Sequence, residues 1–548
     1  MGLASASLYW HTLRHLKPRQ LVARIRHELK AGLPDVGQRA SPIRRPTVAP
    51  FAKPIARPEM MLGPAHFRFL NEEGWIAGPQ DWNQSKKAKL WLYNLHYFDD
   101  LMAAGAAQRT TWHRALIARW IAENPPGYGN GWEPYPLSLR IVNWIKWVAA
   151  GNRLDETALA SLYLQVQLLA RRIEWHLLGN HLLANAKALV FAGLFFSGSE
   201  ADLWLAQGLA IYERELSEQV LADGAHFELS PMYHAIILED LLDLMNAAQS
   251  YCQSDRHILR DLPEMTTHMR TWLAAMTHPD GGVSFFNDAA FGIAATLSDL
   301  EAYANRLGLQ AINAPDEGAH HLKKSGYVRV NRGDMAAILD LAAVGPDYIP
   351  GHAHADTLSF ELSLGAERIV VNGGTSTYAS GVLREAQRAT RTHSTVEIAG
   401  QDSSEVWASF RVARRARVMD VQVDEQGDRI SVTGAHDGYC RLAGRPLHRR
   451  SWTFNRGSLL VEDRIESARR LPTVARIHLG PDVIAVKPSS ATELRLETRA
   501  GRTIKIETTS ESRIEPGNWH PEFGKAIPIH VVSTPIDNGT LTTRLCWA

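Results

Sequence analysis

Along residues 85–310 apolar positions recur at i, i+3, i+4 and i+7, the pattern of helices that bury one stripe. The predicted helices cover residues 112–122, 137–150, 159–178, 182–196, 201–221, 233–251 and 259–276. The connections between them, such as NPPGYGNG and HPDGG, carry the Gly, Pro, Asn and Asp of helix hairpins. A succession of paired helices predicts an α/α toroid or solenoid. After about residue 320 the period falls to 2: YVRVNR, AAILDL, LSFELSL, RIVVNGG, STVEIAG, DRISVTG, SWTFN, SLLVEDRI, ARIHLG, LRLETR and TIKIETT are short alternating runs. Strands without interleaved helices predict an antiparallel sandwich in which one face of each sheet is packed.

The expected fold is therefore an α+β multidomain chain. A basic arm covers residues 1–60, an N-terminal (α/α) toroid 61–315 and a C-terminal antiparallel β-sandwich 316–548. Within the arm, residues 8–30 interleave Leu8, Trp10, Leu13, Leu16, Leu21, Ile25 and Leu29 with Arg and Lys. This basic amphipathic stretch suits either an anionic membrane or packing on the next domain. Residues 31–58, rich in Pro and Arg, read as an extended segment.

A length of 548 residues agrees with several domains, and 45% hydrophobic with 21% charged residues is the composition of a soluble globular protein. The net charge of +1 argues against a dedicated nucleic-acid binder but leaves room for a local basic groove. His11, Arg14, His15 and Lys17 interrupt the first apolar run, so a signal peptide is not expected and the protein is expected in the cytoplasm or peripheral to the membrane. No window is long and apolar enough to span a bilayer. Cys252, Cys440 and Cys546 lie far apart and read as free buried thiols.

Four stretches carry candidate chemistry. In GHAHADTLSF, residues 351–360, His352 and His354 are two apart, and on an extended backbone both would face one pocket. In LLGNHLLANAKAL, Asn180 and His181 stand at a helix start, where Asn180 serves either as a cap or as part of a site. In DGAHFELSPMYH, Tyr233 and His234 lie just inside a helix whose start would raise the acidity of a phenol. GNGWEPYPLSLRIVNWIKW offers Trp132 as an exposed stacking platform, with Glu133, Arg140 and Asn143 nearby. Arg holds carboxylates through paired hydrogen bonds, so the mixture suits an acidic carbohydrate.

Together with VVNGGTSTY, RTHSTVEI and GAHDGY, these segments occur in the order and at the spacing of the heparinase II/III family of polysaccharide lyases, which the chain resembles from about Trp91 onward. The resemblance is nearer to the branch associated with bacterial exopolysaccharide and capsule production. It implies a cleft between toroid and sandwich that binds a uronate polysaccharide and cleaves it by β-elimination. Tyr233 and His352 would be the acid and base, in either assignment, and Asn180 or His181 would neutralise the carboxylate. Trp132, Glu133, Arg140, His234 and Tyr378 would contact substrate. The resemblance also implies a zinc site at His354 and His393, where Asn372 stands in place of the expected aspartate and Asp356 is a possible substitute. Ala184 replaces an acidic residue often found in the cleft helix.

Two other functions fit the residues. GHAHAD resembles the histidine pair of a metal-dependent hydrolase, although the all-β context lacks the alternating βα pattern such enzymes usually show. A catalytically silent glycan-binding component of exopolysaccharide synthesis is the third reading.

Overall fold

The computed structural model describes residues 3–29, 42–251 and 257–547. Cys252 and part of the proline-rich segment lie outside the described residues; Cys440 and Cys546 are free but only half-buried. The predicted N-terminal amphipathic stretch is two helices, α1 (Leu3–Leu13) and α2 (Pro18–Leu29). Beyond it the extended chain bonds across the toroid, with the Val48 amide donating to Ser250 O and the Arg57 amide to Met102 O.

The toroid contains α3 (Lys89–Tyr97), α4 (Thr110–Glu123), α5 (Pro134–Ala149), α6 (Glu156–Arg171), α7 (Gly179–Phe195), α8 (Ser199–Gln219), α9 (Pro231–Tyr251), α10 (His257–Ala275) and α11 (Leu297–Arg306). Helix α7 packs against α5, α6, α8 and α9, which is why its sequence is apolar all round rather than striped. A three-stranded antiparallel meander from Met61 to Trp75, not expected from the sequence, precedes α3. Tertiary contact forms it: Phe69 packs edge-on against Trp91.

The sandwich consists of an eight-stranded and a nine-stranded antiparallel sheet. Val328, Val330, Leu339, Phe360, Leu362 and Leu364 of the larger sheet meet Val432, Trp452, Phe454 and Leu459 of the smaller one. The expectation of a single packed face holds less well for the larger sheet, because its outer face carries the toroid. Tyr327 and Ile338 pack with Leu229, Trp272 and Phe286, and Val371 packs with Met232, Phe285 and Trp519. The polar positions of strand Phe360–Leu364 therefore enter an interface rather than water. Glu361 accepts from the backbone amides of Phe285 and Asn372 and pairs with His278 at 2.9 Å. The expected all-strand pattern is also interrupted by the short helix α12 (Val382–Arg388) and a single 3-10 turn at Thr390–Thr392.

Candidate active site

Three toroid segments converge on the sandwich. Two consecutive residues with positive φ, Leu178 and Gly179, open helix α7. A Cβ at Gly179 would lie 2.7 Å from Glu228 Oε1 and 2.9 Å from Ile349, so glycine permits this close approach as well as the dihedral angle. Asn180 then sits inside the first turn instead of capping it. Its Nδ2 donates to both oxygens of Glu228, at 3.2 and 3.3 Å, and lies 3.4 Å from His352 Nε2. Helix α9 is preceded by Ser230, whose hydroxyl accepts from the Tyr233 amide at 3.2 Å and donates to the carbonyl of Asp288. That capping contact fixes Tyr233 relative to the third segment, the loop carrying Asn287 and Asp288.

Asp288 organises the site. Its buried carboxylate accepts from His352 Nδ1 at 2.8 Å, His354 Nε2 at 2.9 Å and Thr375 Oγ1 at 3.1 Å, and it pairs with both terminal nitrogens of Arg384. Burial by itself would raise its pKa, but Arg384 and the two histidines outweigh that and hold it well below the usual carboxylate range. An ionised Asp288 fixes the proton of His352 on Nδ1 and leaves Nε2 as the open nitrogen, 3.5 Å from Glu228 Oε2.

The imidazole of His352 lies over the phenol of Tyr233, ring centroids 3.8 Å apart and tilted by 31°. Tyr233 Oη is 3.0 Å from Tyr378 Oη, and the Tyr378 ring packs under the Arg384 guanidinium and beside Phe410. Burial, reinforced by Tyr378 and Asp288, pushes the Tyr233 phenol well above its ordinary pKa. The helix start does not acidify it as the sequence suggested, because burial and the neighbouring Tyr378 and Asp288 outweigh that influence.

Of the expected site residues, Tyr233, His352, Asn180 and Tyr378 thus come together. His181 lies on the adjoining wall, where it pairs with Glu174 at 3.2 Å and packs on Tyr135 at 4.4 Å. Burial opposes its charge, but Glu174 overcomes that and raises its pKa. Glu133 is partly exposed and engages Lys89 and the Tyr93 hydroxyl. Three residues expected to contact substrate are structural. Trp132 is 2% exposed and packs on Trp120, so it is no open platform. Arg140 is fully buried over Trp120 and donates to Gln165, His96 O and Gly131 O; its fork is spent inside the helix layer. His234 is buried as well, bonded to Met269 O and to the His226 amide.

The residues proposed for zinc do not assemble into a ligand set. The histidines of GHAHAD lie in irregular backbone before the strand, not on an extended backbone, and they bind opposite oxygens of Asp288. His354 Nδ1 faces His393 Nε2 at 3.3 Å, and burial lowers their pKa values to about 4 and about 3, so both are neutral. Asn372 is committed elsewhere: its amide donates to Ser359 Oγ and its carbonyl accepts from Ser394 N. Asp356 accepts from the Asn287 amide. Among the described residues no group of three or more His, Cys, Asp or Glu side chains is placed to hold a metal ion.

The sequence reading missed Asp288, Glu228, Arg384 and Glu174. Glu228 stood in view within DGAHFELSP, three residues from the helix start, whereas NDAAFG and VLREAQR carried no pattern beyond those of a turn and a short helix.

Two family models match the chain, the heparinase II/III N-terminus over residues 74–307 and the heparinase II/III-like C-terminal region over residues 314–548. A heparin-sulfate lyase from Pedobacter heparinus is 26% identical over 248 residues, covering 41% of this chain, and the match spans only 36% of that lyase's length. FtsZ-localized protein C from Caulobacter vibrioides is 26% identical over 443 residues, 73% of this chain and 71% of that protein. The crystal structure of heparinase III superposes with a TM-score of 0.68 at 18% identity, covering 88% of this chain and 79% of that one, and so shares the fold. With both halves of the chain matched in order by the two halves of one family, this protein belongs to the heparinase II/III family.

Proposed function

We propose that this protein is a polysaccharide lyase that cleaves a uronate-bearing acidic polysaccharide by β-elimination in the cleft between toroid and sandwich. The observation that carries the reading is the stack of His352 on Tyr233, with Asp288 behind the imidazole. His352 Nε2, held open by the Nδ1–Asp288 bond, takes the proton from C5 of the uronate. As the C4–C5 double bond forms, the C4–O4 bond breaks and the Tyr233 phenol, kept protonated by its surroundings, gives its proton to O4. Proton transfer from His352 to the phenolate restores both groups.

Asn180 is the amide that meets the uronate carboxylate and supports the charge developing on it. Glu228 now occupies that amide, so a uronate carboxylate must displace or share the Asn180–Glu228 contact. The lyases among the similar proteins support an acidic glycan. The likeness to the exopolysaccharide and capsule branch favours a bacterial exopolysaccharide.

A second reading, a silent glycan-binding component, has one specific support: the Asn180 amide is already satisfied by Glu228. One assay separates the two. Incubation with a panel of uronate polysaccharides, the host's own exopolysaccharide included, is expected to produce the near-ultraviolet absorbance of unsaturated uronate ends. Binding to a glycan without that absorbance would establish the silent reading and end the catalytic one.

A further inference from the structure

Helices α1 and α2 hold the protein largely through polar contacts, with Tyr9 packed on Trp407, and leave five large apolar side chains facing outward beside exposed Arg14 and Arg24. Inward, Ser7 accepts from Arg414, Thr12 accepts from Trp407 Nε1 at 3.2 Å, Lys17 and Arg19 pair with Glu218, and the buried Gln20 donates to Tyr348 O. Outward, Trp10 is 67% and Ile25 60% exposed, with Leu13, Leu21 and Val22 also exposed. Residues 1–27 contain no Asp or Glu. Among the described residues no helix is long and apolar enough to cross a membrane.

Beside the turn joining the two helices is a cavity of about 440 Å³, away from Tyr233 and His352. Arg14, His15, Lys323, Lys324, Arg415 and Arg417 line it, with Asp347 as the one acid. The Arg415 side chain is 8% exposed and its Nε has no hydrogen-bond partner, although one terminal nitrogen meets Asp347. Two independent features therefore adjoin at the turn carrying Arg14 and His15: apolar helix positions that are exposed among the described residues, and a basic recess with an unsatisfied buried guanidinium nitrogen.

We propose that this face docks onto an anionic phospholipid membrane, with Trp10, Leu13, Leu21, Val22 and Ile25 entering the headgroup–acyl boundary and the basic recess receiving a lipid phosphate. A soluble acidic partner would need the charge but not the five apolar side chains; a lipid surface uses both. The proposal is independent of the lyase reading, since none of these residues belongs to the cleft.

Sedimentation of the full chain with vesicles tests it. The wild type is expected to partition at least ~10-fold more strongly onto phosphatidylcholine vesicles containing phosphatidylglycerol than onto phosphatidylcholine alone, and salt should weaken that binding. Trp10→Glu/Ile25→Glu should lower it by ~10-fold or more, and Lys323→Glu/Lys324→Glu should remove most of the preference for the anionic lipid, both with unchanged melting temperature. Wild type remaining in the supernatant at low salt would overturn the proposal, as would a Trp10→Glu/Ile25→Glu variant that binds like wild type. A sulfated oligosaccharide that saturates the recess while vesicles do not bind would assign the recess to glycan instead.

Discussion

His352 and His354 grip the two oxygens of one carboxylate, Asp288, from neighbouring positions in the chain, yet only His352 reaches the cleft. One imidazole has an open nitrogen toward Asn180, and the other turns inward to His393. Asp288 is thus the point at which the chemistry and the stability of the site are joined.

Tyr233→Phe removes one hydroxyl from a packed ring. Its bond to Tyr378 contributes about 1 kcal/mol, so the melting temperature should barely move. Elimination activity should fall on the order of 100-fold or more. A folded Phe variant turning over like wild type would refute the acid assignment.

Asp288→Ala leaves the Arg384 guanidinium buried with its charge uncompensated, which destabilises by about 3–5 kcal/mol. Denaturant titration should show that loss, whereas Asp288→Ala/Arg384→Met should recover much of it without recovering turnover. Full activity in the double variant would show that His352 needs no carboxylate behind it.

Acid stability should fall in two windows. An unfolded imidazole titrates near 6.5, whereas folded His354 and His393 titrate at about 4 and about 3. Because the folded values are depressed, protons bind the unfolded chain first. The stability held in the neutral pair is complete above pH 6.5 and declines as the pH falls toward the folded values. At about 1.4 kcal/mol per pH step for each group, several kcal/mol should be gone by about pH 4.5. Asp288, whose pKa is also depressed, contributes its loss only below about 3.8. Melting temperatures that stay flat from pH 7 to 4.5 would contradict the neutral pair.

His354→Ala should lower the melting temperature because His393 and Asp288 both lose a partner. Treating the wild type with a strong zinc chelator should not lower it, since Asn372 and Asp356 are engaged elsewhere. A chelator that reproduces the His354→Ala effect would restore a metal at this pair.

Periodicity exposed the fold well, because a 3.6-residue stripe and a 2-residue alternation each follow from the backbone alone. Its failures have a common cause. Glu361 and Ser363 alternate with Phe360, Leu362 and Leu364 as if facing water, but a second domain covers them, and no local pattern distinguishes the two environments. Arg140 and Trp132 likewise looked like sugar contacts because residue type is visible in sequence and burial is not. Tyr233, His352 and Asn180 were legible through ordered segments. Asp288 was not, since an aspartate in a glycine-flanked loop is indistinguishable from a turn residue until its partners are seen.

The cleft's parts come from distant points in the chain: Asn180 meets His352 across 172 residues, and Tyr233 meets Tyr378 across 145. Contacts of such long range form late, because the intervening chain must be ordered first. During synthesis the toroid helices can therefore mature on an inert polypeptide. The candidate site is assembled only when Arg384 has emerged and the sandwich has closed onto its neighbour, so an unfinished chain lacks the arrangement on which the proposed chemistry depends.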